Sequence, residues 1–293
     1  MSKKQAMILV PIDFTDQSFV ALREAEVLAK ACKAELTLLS VIEASGFFSR
    51  VFGDKSEEEI AKMQDQAQEK LAEIAKASEA KLGTDVNSMV SRGKVYQEIV
   101  EVSEMVGADY IVMGTQGVPK TMKKIMGSNA NRVIRMSKVP VITIKGQNHK
   151  ELKTIVLPLD LKKETKEKVS NAIEFARLFG AEVKLVSVIR ENLDSDAIQE
   201  LKLNMKQVYK FIHSHNIKVD SDILYRDKDA EISNEILTYA KEKDADLIMI
   251  MTQQENDFTL HFLGSAAQNI IHNSFTPVMS VRPTVTQFSY ELP

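Results

Sequence analysis

The 293-residue sequence predicts an α/β protein of two tandem doubly wound domains. Each is expected to be a five-stranded parallel sheet with helices on both faces, the two paired as a pseudo-dimer. Three observations carry this. The chain repeats itself, short apolar β-rich runs alternate with longer amphipathic stretches, and a polar join, "KGQNHKE" at 145–151, separates the copies. Domains are therefore expected over 1–146 and 151–293.

The repeat is legible block by block. "MILVPIDF" at 7–14 answers to "TIVLPLDL" at 154–161, and "AELTLLSVIE" at 34–43 to "AEVKLVSVIR" at 181–190, both at an offset of 147. "ADYIVMGTQ" at 108–116 answers to "ADLIMIMTQ" at 245–253, Gly127-Ser128 to Gly264-Ser265, and "VPVITI" to "TPVMSV", now at an offset of 137. The first copy thus carries about ten extra residues, placed near "SGFFSRVFGDKS".

Within the first copy the elements follow in order. Residues 7–12, 35–42, 86–90, 109–114 and 139–144 are apolar on both faces, as buried parallel strands are. Between them, 16–33, 56–82, 94–106 and 128–137 place apolar residues at helical spacing. Such alternation implies right-handed crossovers, with ligands bound at the carboxyl ends of the strands where strand order reverses. Asp13, Val41 and Gly114 fall at those ends.

Composition narrows the classes. With 38 basic and 41 acidic residues the net charge is −3, so no global field favours nucleic acid. The single Cys32 cannot form an internal disulfide, and no apolar run is long enough to span a membrane. A cytoplasmic protein with neither nucleic-acid nor membrane partners is expected. "HSH" at 213–215 lacks a third metal ligand nearby, and Cys32 sits among apolar helix residues as a packed thiol. No Walker A sequence, dinucleotide fingerprint or nucleophile elbow is present.

The informative stretch is "MGTQGVPKTMKKIMGS". Gly114 and Gly117 lack a Cβ, so the backbone there can approach a ligand or adopt positive φ. Gly127-Ser128 opens a helix whose first N–H groups have no intrahelical partner and suit a phosphate anion. Lys120, Lys123 and Lys124 lie between, either as counter-charge to a polyphosphate or as a solvated loop face. Ser128 either caps the helix or donates to a phosphate oxygen, and Asp13 either contacts a ligand or caps the helix beginning at "TDQS".

Glycine, two residues, glycine, nine residues, then glycine with serine or threonine resembles the nucleotide-binding members of the universal stress protein family. "VPIDF" and "SVIE" add to the resemblance, which covers nearly the whole chain once per half. It implies a Rossmann-like domain that binds an adenine nucleotide, ATP with or without Mg, and regulates by occupancy. Carried over residue by residue, the base and ribose fall to Pro11, Asp13, Val41 and Met113, and the phosphates to Gly114, Gly117, Gly127, Ser128 and Asn129. Asn129 departs from the small or β-branched residue usual after the Gly-Ser pair, though its N–H is kept. No residue is placed as base for an attacking water, so at most slow ATP hydrolysis is expected. A nucleotide-independent scaffold with a relic glycine loop is the competing reading.

In the second copy Gly114 becomes Met251 and Gly117 becomes Gln254, while Glu255, Asp257 and His261 replace the lysines. That copy is expected to be a structural partner, paired with the first through the last strand of each. A homodimer of whole chains stays open. "GFFSRVF" at 46–52 is either a lid, a partner surface or packing for its own domain.

Overall fold

The computed structural model describes residues 5–43, 57–115, 128–146, 151–159, 166–191, 194–252 and 263–282. The first half runs β1 (Met7–Pro11), α1 (Asp16–Cys32), β2 (Glu35–Ile42), α2 (Glu57–Leu82), β3 (Val86–Arg92), α3 (Val95–Met105), β4 (Tyr110–Gly114), α4 (Ser128–Met136) and β5 (Val141–Ile144). The second runs β6 (Thr154–Pro158), α5 (Lys166–Phe179), β7 (Glu182–Arg190), α6 (Ser195–Ser214), β8 (Val219–Arg226), α7 (Ile232–Glu242), β9 (Leu247–Met251), α8 (Ser265–Asn273) and β10 (Val278–Val281).

Strand order is β3-β2-β1-β4-β5-β10-β9-β6-β7-β8 in a single ten-stranded sheet. Every pairing within a half is parallel, and the two halves meet where β5 and β10 run antiparallel, Thr143 opposite Val278 and Val141 opposite Ser280. The last strand of each half, apolar on both faces, thereby loses its open edge.

Successive strand residues face opposite sides, so the sheet carries two cores. Ile8, Val10, Leu36, Leu38 and Val112 point toward α1 and α2, and in the second half Val183 and Leu185 continue that layer toward α5 and α6. Leu9, Leu39, Ile111 and Met113 point toward α3 and α4, and Val156, Val186 and Ile248 continue that layer toward α7 and α8. Each core therefore crosses the join without interruption. In the first of these cores Phe175, 1% exposed on α5, meets Tyr110 of β4 edge-on with centroids 5.0 Å apart. Helix α1 packs directly on α5.

Strand order reverses between β1 and β4, because the chain leaves β1 toward β2 on one face and returns from β3 to β4 across the other. The crevice outside the carboxyl ends of β1 and β4 is where this topology puts a ligand. No helix among the described residues is long and apolar enough to cross a membrane.

Candidate functional site

Beyond Pro11 the N–H of Ile12 donates to Leu39 O at 2.8 Å, carrying the β1–β2 pairing one rung further. The chain then turns sharply. Phe14 takes φ 60°, a left-handed conformation that bulky residues avoid and that costs about 1–3 kcal/mol. Asp13 holds this turn: its Oδ1 accepts from the Thr15 N–H at 3.1 Å and from the Thr15 hydroxyl at 2.6 Å. Thr15 is the N-cap of α1, and its Oγ1 accepts from the Ser18 N–H at 3.4 Å. Asp13 thus stands exposed at the rim of the crevice and supports the helix start through Thr15 rather than capping it directly.

Gly114 ends β4, in register with Ile144 of β5. A Cβ there would lie 2.8 Å from Gln17 Cγ and 3.0 Å from Gln17 O, in the first turn of α1. Gln17 in turn donates from Nε2 to Ile144 O at 2.9 Å, tying α1 across β4 to β5. Gly114 does not adopt positive φ, so close helix–strand approach is what excludes a side chain here. Of the two uses expected for this glycine, ligand approach and positive φ, the second is not taken, and the packing of α1 adds a third.

The remaining expected site residues divide. Pro11 and Val41 are partly buried at the ends of adjacent strands, with Val41 opposite Ser91 of β3. Met113 is 6% exposed and packs into the core beneath α3 and α4. Ser128, exposed, and Asn129, half-buried, begin α4. Gly117, Gly127, Lys120, Lys123, Lys124 and residues 46–52 lie outside the described residues.

Sequence reasoning missed three polar groups at this end of the sheet. Thr115 Oγ1, just past β4, Ser91 Oγ, near the end of β3, and Asn131 Oδ1, in the first turn of α4, are buried with no hydrogen-bond partner among the described residues. Buried polar atoms are nearly always satisfied, so such a group invites a polar ligand or water. The repeat sharpens this at one position. The N–H of Thr115 donates to Ile144 O at 3.0 Å, and that of Thr252, its counterpart in the second half, donates to Val281 O at 3.0 Å. Yet the Thr252 hydroxyl also donates to Val281 O at 3.4 Å, whereas that of Thr115 has no partner among the described residues.

Charge differs in the same direction. Lys94 is the N-cap residue of α3 and makes no side-chain cap, and Arg132 of α4 lies over the Tyr96 ring at 4.8 Å. Their counterparts are Glu231, at the N-cap of α7, and Asn269 of α8, which donates to the Glu231 carboxylate. At these two positions the first half carries cations where the second carries a carboxylate and an amide. Beside it, the ion pair of Arg92 with Glu57, 2.7 Å, joins the end of β3 to the start of α2, and the guanidinium hydrogen bond lowers the Glu57 carboxyl from its ordinary range.

The second half departs further below its own strand ends. Lys168, at the position of Ala21, is 4% exposed, and its ammonium donates to Pro158 O at 2.6 Å. Gly264 is the N-cap of α8, and a Cβ there would meet nothing within 4 Å. Packing among the described residues does not require that glycine, in contrast to Gly114.

Two discounted groups are accounted for locally. His213 stacks on Tyr209, and His215 Nδ1 lies 2.7 Å from Phe211 O. The Cys32 thiol donates to Leu28 O at 3.0 Å, and burial raises its pKa, which disfavours the thiolate.

The universal stress protein family model matches the chain twice, over residues 7–145 and 151–282. Universal stress protein MJ0577 of Methanocaldococcus jannaschii is 30% identical over 162 residues, taking in 50% of this chain and 99% of that one. Universal stress protein MJ0531 of the same organism is 33% identical over 139 residues, 47% of this chain and 81% of that one. Among solved structures, a universal stress protein from Archaeoglobus fulgidus DSM 4304 aligns over 94% of this chain and 96% of its own with a TM-score of 0.75. At 24% identity that likeness speaks for the fold of the two halves together.

Proposed function

The chain belongs to the universal stress protein family, and from that premise we propose that its first half binds an adenine nucleotide, ATP foremost, and regulates by occupancy. The observation that carries the reading is the asymmetry between equivalent positions. The first half keeps Gly114, Gly117 and Gly127-Ser128, leaves the Thr115 hydroxyl without a partner among the described residues and offers Lys94 and Arg132. The second has Met251 and Gln254, satisfies Thr252 within the fold and offers Glu231.

On this reading the base lies over Pro11 and the backbone at Val41, with the buried Met113 forming the floor. The ribose meets Asp13, whose turn out of β1 is already fixed by Thr15. The phosphates lie against backbone at Gly114, Gly117 and Gly127 and against the first N–H groups of α4 at Ser128 and Asn129, where the helix dipole favours an anion. Thr115, Ser91 and Asn131 supply polar contacts that no described residue takes up. Mg, when bound, would screen the phosphate charge.

The same reading divides the chain into domains at 1–146 and 151–293, treats the β5–β10 join as an internal pseudo-dimer, and places the protein in the cytoplasm. Mass spectrometry of small molecules released from the purified protein tests the nucleotide directly. Recovery of an adenylate supports it. An empty protein whose melting temperature is unmoved by millimolar ATP would refute it.

A further inference from the structure

We propose that Arg282, carried by the second half, is a positioning residue for the nucleotide site of the first half and acts through α4. This rests on the reading that the first half binds ATP. Helix α4 has nine residues, too few to be stable by itself, so its placement depends on what holds it. Ala130, Val133 and Ile134 bury one face. At its carboxyl end the Ser137 N–H donates to Val133 O at 2.8 Å, and Arg282 Nη1 reaches across the join to donate to Met136 O at 3.2 Å.

The contact has a twin. Lys145, which follows β5, donates from Nζ to His272 O at 2.7 Å in the last turn of α8, and lies over the Phe275 ring at 5.0 Å. The close crossing needs Gly146, where a Cβ would lie 3.0 Å from Phe275 O. Lys145 and Arg282 are equivalent under the offset of 137 that superposes the later blocks of the repeat. Each half therefore lays a cation on the final carbonyls of the other half's short helix, where such a charge is stabilising.

Both capped helices begin at a Gly-Ser pair, but only α4 belongs to the half with the complete glycine set. Arg282 fixes the carboxyl end of the helix whose amino end faces the phosphates. Lys145 fixes α8, which has no nucleotide to position. The twin contacts thus control for each other: both removals loosen the join, and only one disturbs the site.

The test compares Arg282→Met and Lys145→Met in the full chain by calorimetric titration with ATP and with adenosine. Arg282→Met weakens ATP binding by about two- to fivefold, the worth of a cation at a helix carboxyl end, and leaves adenosine unchanged. Arg282→Lys restores most of the loss, Lys145→Met binds both ligands as the unaltered chain does, and hydrogen exchange rises in α4 only in Arg282→Met. Equal ATP affinity in Arg282→Met and the unaltered chain, equal weakening in both methionine variants, or a parallel loss of adenosine overturns the positioning role alone. If the unaltered chain binds no ATP, the nucleotide reading falls first and the role of Arg282 falls with it.

Discussion

Gly114→Ala separates packing from ligand approach, because the structure supplies the clash in numbers. The added methyl would lie 2.8 Å from Gln17 Cγ and 3.0 Å from Gln17 O. The first contact can be relieved by a side-chain rotation, but that rotation breaks the 2.9 Å hydrogen bond from Gln17 to Ile144 O. The second contact is to backbone and requires α1 to move off β4. Overpacking of this kind costs about 1–3 kcal/mol. Gln17→Ala alone removes the Cγ and the hydrogen bond and costs about 0.5–1.5 kcal/mol. The double variant escapes the sharper clash, so it should lose less than the sum of the singles, the difference being the coupling of two touching residues. Urea unfolding in the absence of nucleotide reads all three. Additive losses, or a Gly114→Ala variant as stable as the unaltered chain, would show that α1 does not press on β4 as described.

Phe175→Ala empties a fully buried position between the halves and should cost about 3–5 kcal/mol. Calorimetry should then show unfolding broaden or split relative to the unaltered chain, whereas a uniform shift of an unchanged profile would mean that the halves do not depend on this contact. The Lys218 ammonium, 2.6 Å away, together with Lys184, holds the Glu182 carboxyl below its ordinary 4.5. A lowered acid stabilises the fold above its unfolded pKa, and that contribution is lost as pH falls through the lowered value. The melting-temperature gap between the unaltered chain and Glu182→Gln should therefore be constant at neutral pH and close on acidification below 4.5; a gap independent of pH refutes the pairing. Gly117→Asp, which puts a carboxylate where the glycine spacing calls for phosphate, should abolish ATP binding with the circular-dichroism spectrum unchanged. Retained ATP affinity in that variant would count against the glycine loop as the phosphate cradle.

Much of the fold was legible because its signals are local. Buried parallel strands read as short two-faced apolar runs and helices as periodic ones, so the element bounds in the first half fell within two residues of those observed. The two largest departures have causes. Strand β5 was expected from residue 139 and begins at Val141, since Pro140 has no N–H to offer and contributes only its carbonyl, to the Ile111 N–H at 3.0 Å. Strand β3 was expected to end at 90 and runs to Arg92, because Ser91 and Arg92 pair with Val41 and Ile42 despite being polar. That Asp13, Val41 and Gly114 stand at or just beyond the carboxyl ends of β1, β2 and β4 followed from where the apolar runs stop.

The site was less legible where it depends on contacts distant in sequence. Gly114 touching Gln17 needs the packing of α1 over β4, and Met136 taking a hydrogen bond from Arg282 needs the placement of one half on the other. The Thr115 hydroxyl, without a partner among the described residues, was hidden because threonine at that position looks identical in both copies. Only the partner of its twin, Val281 O, separates them. The exchange of Lys94 for Glu231 could have been found in the sequence by carrying the offset of 137 through α3, since both residues stand at equivalent helix starts.

The central claim is one working nucleotide site in a chain with two copies of the fold. Calorimetric titration of the full chain with ATP, after removal of any co-purified nucleotide, measures it as a stoichiometry. One ATP per chain, abolished by Gly117→Asp and indifferent to Met251→Ala, is the expected result. Two equivalents per chain, or no saturable binding at all, contradicts it.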